Sequence, residues 1–221
     1  MNNKGSDQVF PVMTQLEEHM NSLAGEEPAR PRCLLCFGYG YTAGFLGRAC
    51  LEAGWRVIGP RRPGEAGEGD GEGDGVEIHP FDRQTPLAGN IIAAATHVLS
   101  SVPPDGDGDP VLDVHGSDLA AAQNLRWLGY LSTTGVYGDR KGGWVDGGSK
   151  LSPTGSRGQL RCTAEAAWLA LGRDFARPVH IFRLAGIYGP GRSALDRVRG
   201  GRAKRIVKPG QVFSRIHVAD I

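Results

Sequence analysis

The chain has 221 residues, 40% of them hydrophobic, a formal net charge of +1 and four cysteines. That length can bury the core of one α/β domain, with or without a small lobe. The near-neutral charge gives no reason to expect nucleic acid or an anionic membrane as partner. No apolar run approaches a membrane span and no apolar leader core marks export, so a reduced, cytoplasmic protein is the default expectation.

Residues 1–31 are polar and end in Pro28-Ala29-Arg30-Pro31. They read as a flexible tail with room for a short helix over Met13 to Leu23. The stretch from Cys33 to Gly47 reads as a buried strand (32–37), a glycine turn and the start of a helix (42–53). Its spacing is G-x-G-x-x-A on Gly38, Gly40 and Ala43. Gly38 lets the chain leave the strand sharply, Gly40 lets a pyrophosphate approach the backbone, and Ala43 lets the helix sit close to the sheet. Gly44 and Gly47 are further small positions, so the third fingerprint position stays ambiguous. The first helical N–H groups, at Tyr41, Thr42 and Ala43, would face the phosphates. Cys33 and Cys36 form a C-x-x-C inside the expected strand, where cysteine behaves as a small buried hydrophobe rather than a redox pair or half of a zinc site.

A second strand is expected over 55–59. Just past it, where an acid would accept from an adenosine ribose, stand Pro60-Arg61-Arg62. Guanidinium groups there suit a 2′-phosphate, which points to NADP rather than NAD; the alternative is two solvated loop charges. Residues 64–75 alternate glycine with acids and read as a disordered insertion, lacking the closing glutamate of a calcium loop. Strand three is expected over 76–81, ending at Asp82, which either reaches an adenine amino group or serves as a turn residue. A helix over 87–95, a fourth strand over 96–102 with Ser100 and Ser101 near the cofactor, a glycine–aspartate turn at 105–109, a helix over 117–127 and a fifth strand over 129–133 follow. Strands alternating with helices at this rhythm mean a parallel sheet with right-handed crossovers.

Three later segments complete a pattern: Ser132-Thr133-Thr134-Gly135-Val136-Tyr137-Gly138, Phe182-Arg183-Leu184-Ala185-Gly186-Ile187-Tyr188-Gly189-Pro190-Gly191, and Arg215-Ile216-His217-Val218-Ala219-Asp220. With the fingerprint, they resemble the short-chain dehydrogenase/reductase superfamily, in its extended and atypical branch of NAD-dependent epimerases and dehydratases. The resemblance covers about residues 32–221. It implies a Rossmann-type doubly wound α/β sheet of strand order 3-2-1-4-5-6, with an incomplete C-terminal substrate lobe. It divides the chain into a tail (1–31), an NAD(P)-binding domain (32–191) and the start of a truncated substrate-binding region (192–221), where Asp220 reads as the cap of a helix. It makes Thr133 the hydroxyl that polarises a substrate carbonyl or hydroxyl; otherwise it fills a strand edge. The family's tyrosine and lysine positions hold Arg157 and Arg161. Arg161 can still donate to ribose hydroxyls, but a guanidinium such as Arg157 stays protonated and cannot act as an ordinary base. Tyr137 and Tyr188 are the nearest phenols and read as structural, as do His115, His180 and His217.

The helix over 161–171 presents Ala164, Ala167, Trp168 and Leu171 on one face, with Glu165 solvated or ion-paired. The sixth strand is expected over 178–184. Beyond it, Arg192, Arg197, Arg199, Arg202, Lys204, Arg205 and Lys208 form a basic segment, opposed only by Asp196, that suits a substrate diphosphate or a solvated helix face. The first expectation is therefore an NADP-dependent oxidoreductase or epimerase/dehydratase acting on a small molecule, with NAD as the other coenzyme and a homodimer left open. The second is a non-catalytic dinucleotide-binding sensor or scaffold, which Arg157 favours. An FAD-binding domain is weaker, because it leaves the V-Y-G segment unexplained.

Overall fold

The first expected strand is β1, Cys33–Phe37, and all five of its residues are buried. A strand buried on both faces belongs in the middle of a sheet covered on both sides. The computed structural model describes residues 31–64, 75–204, 207, 209–210 and 212–221, and it contains that sheet. Six parallel strands run in the order β3-β2-β1-β4-β5-β6, as expected. Here β2 is Arg56–Arg61, β3 Val76–Pro80, β4 His97–Ser100, β5 Trp127–Thr133 and β6 Val179–Leu184. The tail with its helix over 13–23, most of the acid–glycine stretch, and Arg205 and Lys208 of the basic segment lie outside the described residues.

Alternation along β1 explains the two layers. Cys33, Leu35 and Phe37 face one side, where α2 (Gly89–Ala94), α3 (Pro110–Ala121) and α4 (Ser156–Asp174) contribute Ile92, Val111, Leu119, Trp168 and Leu171. Leu34 and Cys36 face the other side, against Ala43 of α1 (Tyr41–Glu52) and with Val57, Leu99 and Leu131. The two cysteines of the C-x-x-C thus sit on opposite faces of the sheet. Burial pushes both thiols up, which disfavours the thiolate that redox or metal chemistry needs. Among the described residues no cluster of His, Cys, Asp and Glu could hold a metal ion.

Element boundaries moved where capping decides them. The helix expected over 117–127 is α3, and it starts at Pro110. Asp109 is its N-cap, with Oδ1 accepting from the N–H groups of Val111 (3.0 Å) and Leu112 (3.1 Å), and Pro110 occupies the first turn, where a missing N–H costs nothing. The following residues are released to β5, which begins at Trp127. Strand β2 runs on through Pro60 to Arg61, because Pro60 and Arg61 pair with His79 and Pro80 of β3. After β6 come β7 (Gly186–Tyr188) and β8 (Arg215–His217), a parallel pair that joins two of the sequence motifs. Between them α5 (Ala194–Arg199) opens with a capping box of Ser193 and Asp196. Asp220 lies in a 3-10 turn, Val218–Asp220, capped by the His217 ring. Arg32 to Ile221 form one compact unit. Among the described residues no helix is long and apolar enough to cross a membrane.

Candidate functional site

The glycine turn joins β1 to α1 at the point where strand order reverses, between β1 and β4. In open parallel sheets ligands collect there, beyond the carboxyl ends of the strands. Gly38 has a φ of +75°, and a Cβ on it would lie 2.9 Å from Ser101 Oγ, so the position demands glycine twice over. Ser101 holds the turn by donating its hydroxyl to Gly38 O at 2.6 Å. Pro60 O accepts from the N–H groups of Gly38 (3.1 Å) and Tyr39 (3.0 Å). Gly40 is the N-cap of α1, and a Cβ on it would meet only Gly38 O, at 3.8 Å. Ala43 is buried against the sheet while Gly44 meets nothing, so Ala43 is the close-packing position of the fingerprint. The Tyr39 ring fills a slot walled by Gly47 and Gly59, where a methyl group at either would overlap it.

Gly38, Gly40, Arg61, Arg62, Asp82 and Ser101 line one cleft of about 600 Å³, within the range of small-molecule sites. Arg61 Nε donates to Tyr39 O at 2.9 Å, and its guanidinium lies 5.5 Å from the Tyr39 ring centroid. Asp82 faces the same cleft but also builds a turn, with Oδ1 accepting from the N–H groups of Gln84 (2.9 Å) and Thr85 (2.7 Å). Arg83, which sequence reasoning passed over, also lines the cleft. Asp105 and Asp113 bind it, and their hydrogen bonds hold the guanidinium above its already high ordinary pKa. Ser100, expected near the cofactor, shares a face with Val98, is fully buried and does not line the cleft; alternation sends only Ser101 outward. Thr42 lines a different cavity of about 470 Å³, an apolar groove with Phe45, Leu46, Trp127, Leu131 and Phe182.

Thr133 ends β5 and caps the 3-10 turn Thr134–Tyr137, its Oγ1 accepting from Gly135 N at 3.1 Å. The hydroxyl proton has no acceptor among the described residues, so it can be donated to a ligand oxygen. Arg161, on α4, turns back onto β5. Its Nη1 donates to Leu131 O (2.5 Å) and Tyr130 OH (3.2 Å), so part of the guanidinium is committed to the scaffold. Arg157 is exposed in the first turn of α4. Neither Thr133 nor Arg161 lines the cleft of the glycine turn. Beside them, Glu165 is ion-paired rather than solvated. It is 2% exposed, accepts from Ser132 Oγ at 2.5 Å, and forms a forked pair with Arg183 at 2.9 to 3.2 Å. Arg183 also donates to Tyr137 OH (3.1 Å), which itself donates to Asp146 O (2.7 Å). That phenol is fully engaged in structure.

The fold has counterparts among solved structures. A conserved protein of unknown function from Silicibacter pomeroyi is 47% identical over 86% of this chain, with a TM-score of 0.76. UDP-glucuronic acid 4-epimerase from Bacillus cereus, solved with UDP-glucuronic acid and NAD, is 18% identical over 85% of this chain and 70% of its own, with a TM-score of 0.66. dTDP-glucose 4,6-dehydratase from Bacillus anthracis, solved with NAD, is 16% identical over 86% of this chain and 68% of its own, with a TM-score of 0.65. The chain shares the fold of these proteins, a six-stranded parallel α/β sheet of Rossmann type. It spans 64% of the length of the Silicibacter pomeroyi protein. No protein-family model and no curated protein matches it.

Proposed function

We propose that the cleft over Gly38, Gly40 and Ala43 binds a nicotinamide dinucleotide, NADP in preference to NAD, and that the chain belongs to an oxidoreductase or epimerase/dehydratase acting on a hydroxyl or carbonyl of a small molecule, a nucleotide sugar among the candidates. The supporting observation is the coincidence of three things. The turn is open at Gly40, a cleft of dinucleotide-compatible size lies at the switch point, and two guanidinium groups, Arg61 and Arg62, flank it. The backbone N–H groups at the start of α1 would take the pyrophosphate. Arg61 and Arg62 would take a 2′-phosphate, and Asp82 the adenine side. The bound nicotinamide would accept or return a hydride. Thr133 would donate its hydroxyl proton to the substrate oxygen, holding it in place as charge develops, and Arg161 would use its remaining N–H groups on the ribose.

A second reading, a non-catalytic NADP-binding sensor or scaffold, is favoured by Arg157, whose guanidinium cannot pass a proton at neutral pH. Titrating NADPH and NADH by nicotinamide fluorescence tests the first part. NADPH is expected to bind more tightly; tighter NADH would remove the coenzyme preference, and binding of neither would remove the whole reading. Turnover on a panel of alcohols, ketones and nucleotide sugars tests the second. Thr133→Ala is expected to lower the rate by about 10²-fold. Equal rates would reject its role, and tight binding with no turnover would select the sensor.

A further inference from the structure

We infer that Arg192 is a coenzyme-binding residue, carried to the phosphate turn by a stack on Tyr41, where it pairs with the pyrophosphate of the dinucleotide. The inference rests on the reading of the cleft just given and adds a contact from a segment far along the chain. Tyr41 is the first residue of α1 and follows Gly40 directly. Its hydroxyl donates to Pro190 O at 3.0 Å, across 149 positions of sequence. The Arg192 guanidinium carbon lies 5.3 Å from the centre of the Tyr41 ring, at cation–π distance. The turn that delivers it is closely defined. Arg192 N donates to Gly189 O at 3.0 Å, Gly191 has a φ of +71°, and a Cβ on Gly189 would come within 2.6 Å of Tyr41 OH.

Arg192 is exposed, and its charge is open to an anion. Among the described residues Arg192 enters no ion pair. Asp196, the nearest acid in sequence, is occupied by the N–H (2.8 Å) and hydroxyl (2.7 Å) of Ser193. The first turn of α1 contains no acid. A guanidinium therefore stands beside the positive end of a helix with no counter-charge, a repulsive pairing that a diphosphate between them would reverse. Arg61 and Arg62 belong to the adenosine side of the cleft, so Arg192 would contribute separately from them, at the centre of the coenzyme.

The test is NADPH titration of wild type, Arg192→Gln and Arg192→Lys at several salt concentrations. The expected result is a loss of about 10-fold in NADPH affinity for Arg192→Gln, a shallower salt dependence than wild type, and retention of most of the affinity by Arg192→Lys. Unchanged affinity in Arg192→Gln would overturn the inference. So would a loss with an unchanged salt dependence, which would mark a packing role. Wild type that binds no dinucleotide would overturn the cleft reading itself, and is distinguishable because it needs no variant.

Discussion

At Asp109 a single buried carboxylate serves two elements. One oxygen caps α3, and the other accepts from the Trp168 indole of α4 at 3.0 Å. Asp109→Ala is expected to cost about 1 kcal/mol for the lost cap and about 1–3 kcal/mol for the stranded indole N–H, read by urea unfolding. Burial pushes this carboxyl above the ordinary aspartate value of 3.8, against the pull of the indole and the cap amides. The folded state therefore holds the proton more tightly than the unfolded state. Stability falls as pH rises from 3.8 through the folded value, and is level above it. Glu77 and Asp105 run the other way. Hydrogen bonds from Arg56 and Arg83 hold them down, so their contribution is present above the unfolded values and is lost as acid titrates the folded ones. The difference in stability between wild type and Asp109→Asn isolates the first effect. It should move in favour of wild type as pH drops from neutrality toward 3.8, and a level difference would reject the assignment.

The elements around β5 are tied together by the Glu165–Arg183 pair, which links α4 to β6 and, through Tyr137 and Ser132, to the turn after β5 and to β5 itself. Removing one member of a buried pair leaves the other uncompensated. Glu165→Ala is therefore expected to cost about 3–5 kcal/mol, measured as a shift in the urea midpoint. A change within the range of ordinary surface substitutions would show that Arg183 finds other partners. Sequence left Glu165 either solvated or ion-paired and named no partner, because a charge on a helix and a charge on a strand do not announce that they meet. The fingerprint was legible because its causes are local: a turn that needs positive φ at Gly38, an approach open at Gly40, a helix packed at Ala43. The start of α3 is an intermediate case. Asp109-Pro110 is a readable start signal, but a run of glycine and aspartate just before it hides the boundary. Tyr41 and Arg192 were each visible as residue types, but their meeting depends on the return of the chain after β6.

At the scale of the molecule, the alternation of strands and helices made a parallel sheet legible, while its order, 3-2-1-4-5-6, came with the resemblance carried by the motifs. What sequence did not convey is how unevenly the sheet is clad. Among the described elements, α2, α3 and α4 cover one side and α1 the other, leaving the groove lined by Phe45, Leu46, Trp127 and Phe182. A dye such as anilinonaphthalene sulfonate, whose emission is usually taken to report loosened packing, should therefore brighten on the fully native protein. The expected signature is emission that saturates while near-ultraviolet circular dichroism stays native, and a dark native protein would show the groove closed in solution. For this chain the probe becomes a gauge of one crevice, and its signal is no measure of disorder.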